Sequence, residues 1–119
     1  MKKKKLKEAL IHKEKYLVFI YWSSEDKAYV AEVPELTGCA THGDTFDEAA
    51  NQAHDAIESW LEGAVEAGIE IPEPMTLKRY SGKFNLRIEP TLHKSLALKA
   101  VQKGKSLNRF VEEVLHMAV

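Results

Sequence analysis

Lys83-Phe84-Asn85-Leu86-Arg87-Ile88 alternates polar and apolar residues without a break. On a strand, successive side chains point to opposite faces. Phe84, Leu86 and Ile88 then share one face, and Lys83, Asn85 and Arg87 the other. Pro90 stops the strand and suits the first turn of a helix, where its missing N–H has no partner to lose. Leu92, Leu96, Ala97, Ala100 and Val101 form the apolar stripe of that helix, and Gly104 ends it. Ser106 caps a second helix, with Leu107, Phe110, Val111, Val114, Leu115 and Ala118 inward. One strand and two helices of this size cannot bury those side chains alone. Two copies can, by pairing the strands and interlocking the helices. The expected dimer core is Phe84, Leu86, Ile88, Leu96, Phe110, Val111, Val114 and Leu115.

Upstream, Ile71-Pro72-Glu73-Pro74 marks a boundary, because two prolines disfavour helix and stiffen the chain. Met75–Tyr80 is open to reading as an edge strand returning to what precedes it, and Ser81-Gly82 opens the second unit. Before the prolines, Lys15–Trp22 is aromatic and β-branched and reads as a strand. Ser23-Ser24-Glu25-Asp26 is turn material. Ala28–Val33 makes a second strand closed by Pro34, and a short third lies around Cys39-Ala40-Thr41 and ends at Gly43-Asp44. Thr45 followed by Glu48 is a capping box. It opens a helix whose stripe is Phe46, Ala49, Ala50, Ala53, Ile57, Trp60, Leu61 and Ala64, with Gly68 as its C-terminal cap. The expected class is α+β, a small antiparallel sheet with one packed helix joined to a strand-helix-helix dimerisation unit. The expected boundaries are a basic extension over 1–14, a first domain over 15–75, a linker over 76–82 and a second domain over 83–119.

Charge divides the 119 residues in the same way. The net charge of −1 conceals three blocks. Residues 1–23 hold seven lysines against Glu8 and Glu14; residues 24–76 hold thirteen acids against Lys27 alone; residues 77–119 hold nine lysines and arginines against Glu89, Glu112 and Glu113. An acidic middle and a basic end imply two surfaces for two kinds of partner. The lysines at the start are not followed by an apolar stretch, which argues against a signal peptide, and no apolar run is long enough for a membrane helix. A single cysteine, Cys39, cannot form an internal disulfide, so a cytoplasmic protein is expected.

Residues 82–119 resemble the ribbon-helix-helix, or MetJ/Arc-like, family. The resemblance rests on the alternating strand, on Pro90, and on Gly104-Lys105-Ser106-Leu107-Asn108 at the interhelical turn. It implies that the paired strands enter the major groove with Lys83, Asn85 and Arg87 reading bases. Arg and Lys donate to guanine and Asn pairs with adenine, so the residue types suit the task. Ser106, Leu107 and Asn108 would clamp a phosphate with free N–H groups.

Residues 16–74 resemble the HicB antitoxin domain. Ala28-Tyr29-Val30-Ala31-Glu32-Val33-Pro34-Glu35-Leu36-Thr37-Gly38-Cys39, Thr41-His42-Gly43-Asp44-Thr45, Glu48-Ala49, Trp60-Leu61 and Pro72-Glu73-Pro74 carry that likeness. It implies a truncated RNase H-like fold and a HicA-type, mRNA-cleaving toxin as partner. Acids at Asp47, Asp55, Glu58, Glu62 and Glu66 form one candidate contact for such a basic protein, and the hairpin edge is the other.

Neither catalysis nor a cofactor is expected. A two-metal nuclease needs several inward carboxylates, and Leu17–Trp22 has none. Cys39 and His42 lack the further ligands that a structural zinc site requires. Tyr21, Trp22 and Tyr29 read as core aromatics, with contact to a partner as the alternative. The sequence therefore points to an antitoxin that also represses its own operon, binding toxin and operator DNA as a homodimer, with a tetramer left open and no membrane partner. The alternative is a stand-alone ribbon-helix-helix transcription factor with a ligand-sensing N-terminal domain.

Overall fold

The aromatic, β-branched run forms strand β1 over Phe19–Ser23, four residues later than its composition suggests, and pairs antiparallel with β2 over Ala28–Glu32. Strand β3, Ala40–Gly43, pairs antiparallel with the far side of β2, giving a three-stranded meander in the order β1-β2-β3. The computed structural model describes all residues, Met1–Val119, and divides them into two units, Met1–Tyr80 and Ser81–Val119.

In the first unit the long helix α2 spans Phe46–Ala67. Thr45 Oγ1 accepts from the Glu48 N–H at 3.0 Å, and Gly68 closes the other end with its N–H on the Val65 carbonyl. The apolar stripe lands as spaced. Ala49, Ala53, Ile57, Leu61, Ala64 and Val65 are buried. Ala31 at the centre of β2 meets Ala49 and Ala53, while Val33, Leu36 and Cys39 meet Ile57 and Leu61. Small residues at the first contact let the backbones approach closely. Gly43 shows how closely: a Cβ placed there would lie 2.5 Å from the Ala49 nitrogen, so only glycine lets β3 run this near the first turn of α2.

The lysine-rich start, expected as an extension outside the first domain, folds onto that unit as helix α1, Lys2–Ile11. Leu6, Ala9 and Leu10 pack against the core cluster from one side of it. A short 3-10 turn, Lys13–Lys15, leads to the buried Tyr16. Met75–Tyr80, open to reading as an edge strand, instead holds a turn at Met75–Leu77 and pairs with no strand. Thr76 Oγ1 donates to the Lys15 carbonyl at 2.6 Å, which docks this segment without any strand pairing.

The second unit consists of α3, Pro90–Gln102, and α4, Leu107–Ala118. Pro90 opens α3, and Gly104, at φ +68°, closes it in the left-handed conformation that favours glycine. The Gly104 N–H then reaches the Val101 carbonyl and the Lys105 N–H the Ala100 carbonyl. Ser106 caps α4, its Oγ accepting from the Arg109 N–H at 3.2 Å. Residues 83–88 pair with no strand in the single chain.

Candidate functional site

The residues that carry the first unit's sequence likeness converge on the loop between β2 and β3. The Glu35 carboxylate accepts from the Leu17 N–H at 2.7 Å and from the Met75 N–H at 2.5 Å. The Trp60 indole donates to the Thr37 carbonyl at 2.9 Å, and the Tyr16 hydroxyl to the Pro72 carbonyl at 2.6 Å. Burial, with the charge of Glu35 nearby, pushes the Tyr16 phenol above its usual range and so keeps it a donor. These residues hold the fold together. They join three distant segments, and the buried Pro74 completes the joint. Glu35 was not singled out as a tether from sequence, because a lone carboxylate gives no sign of the two N–H groups it will meet.

The five acids proposed as a contact all lie on α2. The N-terminal segment engages two of them: Lys13, in the 3-10 turn, pairs with Glu58, and Lys2 Nζ, on the unforeseen α1, lies 3.6 Å from Glu66. Asp47, Asp55 and Glu62 are exposed and without an ion pair. The first unit's own basic segment thus neutralises part of its acidic face.

The sheet shows a second surface. Helix α2 covers one face, and the other carries Phe19, Tyr21, Val30, Glu32, Ala40 and His42 by strand alternation. Phe19 and Tyr21 are 54% and 44% exposed, and Trp22, on the neighbouring face, is 53% exposed. Tyr21 thereby departs from the core reading, since a single helix cannot roof both faces of a sheet; Trp22 departs from it although it shares the helix-covered face with Ile20, Ala31 and Tyr29. The Tyr21 hydroxyl donates to Glu32 at 2.8 Å, which raises its pKa. Trp22 stacks edge-on against the half-buried Tyr29 at 5.2 Å, and Tyr29 against Phe46 at 6.1 Å. Strand β1 is also an edge, with one line of backbone groups open to a partner strand.

No three His, Cys, Asp or Glu side chains come together where they could hold a metal ion. Cys39 is buried, and burial pushes its thiol pKa up. A cleft of about 530 Å3 lies between α1, the end of α2 and the Pro72–Pro74 segment, with Lys5, His12, Tyr16, Val65 and Leu77 among its walls. No helix is long and apolar enough to cross a membrane.

In the second unit, Lys83, Asn85 and Arg87 are exposed, and so are Phe84 at 75%, Leu86 at 60% and Ile88. Only Ala100 and Phe110 are buried; Leu96 and Val111 are half-buried, while Val114 and Leu115 remain exposed. Ser106, Leu107 and Asn108 form the N-terminal turn of α4, where backbone N–H groups lack intrahelical partners. Lys94 and Lys105 are the lysines expected to meet phosphates; Lys94 is exposed, whereas Lys105 is bound to Glu113, whose carboxyl it holds below the usual range, and so is less free for phosphate.

The two units thus present exposed aromatic, acidic and basic surfaces. The family model described as "HicB_like antitoxin of bacterial toxin-antitoxin system" matches residues 16–90, more than half of the chain, and the chain belongs to that family. The HicB family model matches residues 66–115 as well. Among curated relatives, a UPF0150 protein of Thermoplasma acidophilum is 40% identical over 58 residues, 49% of this chain and 83% of its own length. A UPF0150 protein of Synechocystis sp. is 36% identical over 52 residues, 44% of this chain and 74% of its own. An uncharacterized 14.9 kDa protein of Haemophilus phage HP1 is 38% identical over 52 residues, 44% of this chain, and the match spans only 39% of the phage protein. No solved structure matches the chain.

Proposed function

We propose that this protein is the antitoxin of a type II HicAB system, with no catalytic role of its own. Its first unit, a truncated RNase H-like domain, binds and inhibits a HicA-type mRNA-cleaving toxin. Its second unit dimerises as a ribbon-helix-helix and represses the operon in the cytoplasm. The observation that carries the reading is the antitoxin family match over residues 16–90. A toxin that grips RNA presents a basic surface, and thirteen acids in residues 24–76 offer it long-range attraction. Two contacts remain in play: the unpaired Asp47, Asp55 and Glu62 on α2, and the exposed aromatics along β1. Aromatics supply the anchoring area that charge does not.

For the second unit, the support is the apolar surface that one chain leaves uncovered. Pairing residues 83–88 with a second copy would bury Phe84, Leu86 and Ile88 and turn Lys83, Asn85 and Arg87 outward to the major groove. The test is copurification with the neighbouring gene's product, followed by growth rescue in cells expressing it. A first unit that folds but fails to rescue growth would show that toxin neutralisation lies elsewhere.

The cleft of about 530 Å3 favours a second reading, a transcription factor that senses a small molecule there. Repression responding to a metabolite in a strain without any toxin gene would select that reading.

A further inference from the structure

Lys3, Lys4 and Lys7 occupy positions i, i+1 and i+4 of α1, so they rise along one side of the helix. All three are exposed, and no ion pair joins any of them to a carboxylate. A different side of the helix carries Leu6, Ala9 and Leu10, packed on the core of the first unit. Lys2 and Lys13 bind Glu66 and Glu58 at the two ends of the segment. A lysine-rich helix of ten residues is marginal in isolation. Anchored in this way, it holds its free lysines in a fixed array, and the α2 carboxylates that reach it are already paired.

We propose that α1 is a phosphate-contacting surface for duplex DNA. It would add a sequence-independent grip to the base-reading grip assigned to Ser81–Val119, and the proposal rests on the DNA-binding reading of that unit. The chemistry selects this partner. Ammonium groups are point charges that suit phosphate oxygens, and contacts to phosphate carry no base information. Residues 1–14 contain no Phe, Tyr or Trp on which unpaired bases could stack, which disfavours single strands. They also lack the Trp or Phe with which an interfacial helix enters a lipid surface. Once the second unit is on DNA, the chain holds α1 at a high effective concentration near the same duplex, so a weak local contact adds appreciably to the total.

The test titrates the full chain against a random-sequence duplex between about 50 and 200 mM salt, the range over which counterion release is read. The triple variant Lys3→Gln, Lys4→Gln, Lys7→Gln is compared with the same three positions changed to Arg. Losing three phosphate contacts flattens the logarithmic salt slope by about 2.7 per chain, so the variant's affinity falls about 40-fold less across that range than the parent's. The Arg variant should keep the parental slope. Circular dichroism confirms that α1 and the rest of the fold persist. A parent that binds duplex while the Gln variant keeps its slope overturns the role of α1 and leaves the DNA reading standing. A parent that binds no duplex overturns both. Loss of binding to phosphatidylserine vesicles by the Gln variant, with the duplex slope unchanged, would assign the stripe to membranes and overturn the proposal.

Discussion

The two units solve the problem of burying apolar surface in opposite ways. Twelve of the fourteen buried apolar residues lie in Met1–Tyr80, and only Ala100 and Phe110 in Ser81–Val119. The first unit closes its core with its own helix. The second has two helices and an alternating segment, and leaves Phe84, Leu86, Leu92, Val114 and Leu115 to solvent. One is complete as a single chain. If the other is half of a dimer, as proposed above, its stability is tied to protein concentration.

The comparison breaks most sharply at the two cores. Phe110→Ala should cost about 3–5 kcal/mol in a core setting, and Leu61→Ala about 2–5 kcal/mol. What separates them is concentration. The midpoint of the second unit, in the parent and in Phe110→Ala alike, should rise with protein concentration by mass action, whereas that of the first unit, with or without Leu61→Ala, should not move. Thermal unfolding by circular dichroism over a range of concentrations measures both. A stable, folded monomer of the parent at micromolar concentration, seen by sedimentation, would remove the distinction.

A smaller effect sharpens the account of the first unit. Gly43→Ala forces a Cβ against the Ala49 nitrogen and the Glu48 carbonyl carbon, and neither can turn aside as a side chain would. Overpacking of this kind costs about 1–3 kcal/mol, felt as a lower unfolding midpoint at every concentration. A midpoint equal to the parent's would mean that β3 is not held against α2 as described.

For the second unit, Arg87→Ala and Asn85→Ala should each weaken operator binding by about 1–3 kcal/mol and relax the choice of base. Lys94→Ala should weaken every duplex alike, and Lys105→Ala less so, because Glu113 already holds that ammonium. Gel-shift titrations on operator and scrambled duplexes give both numbers. Unchanged specific affinity for Arg87→Ala would end the base-reading assignment.

How much of this was legible in the sequence follows from where each element finds its partner. Helix α2 was plain, because its cap, stripe and terminal glycine are all local signals. The first two strands were visible as aromatic and β-branched runs and the third as a short stretch before a turn, with ends misplaced by up to a few residues where pairing rather than composition sets the limit. Helix α1 was hidden because Leu6, Ala9 and Leu10 are too few among the lysines to show a period. Their packing against the core exists only in the folded unit. Tyr21 misled for a related reason: alternation tells which residues share a face, not whether anything covers it. Glu35 was silent, since its two N–H partners lie 18 and 40 positions away. Residues 83–88 show the same limit from the other side. Their alternation is clear, and one chain alone supplies no strand for it to meet.

The smallest effect separates the two units by pH. In the second unit, Lys105 holds the Glu113 carboxyl below its ordinary value of 4.5. A depressed carboxyl pKa means the folded state favours the charged form. Its contribution is present above the ordinary value and is lost as pH falls through the lowered one. In the first unit the shifts run upward: hydrogen bonding to Glu58 raises Lys13, burial raises Tyr16, and hydrogen bonding to Glu32 raises Tyr21. Raised values favour the protonated forms, so those contributions are present below the ordinary values of 10.5 and 10.0 and fade as pH climbs through the raised ones. Both tryptophans, Trp22 and Trp60, lie in the first unit, so their fluorescence reports that unit alone. Glu113→Gln should remove part of the acid-side loss seen by circular dichroism and leave the fluorescence midpoint untouched. Tyr16→Phe should remove part of the alkaline loss seen by fluorescence. If Glu113→Gln shifts the tryptophan midpoint below pH 4.5 as far as it shifts the helical signal, the two units do not unfold independently.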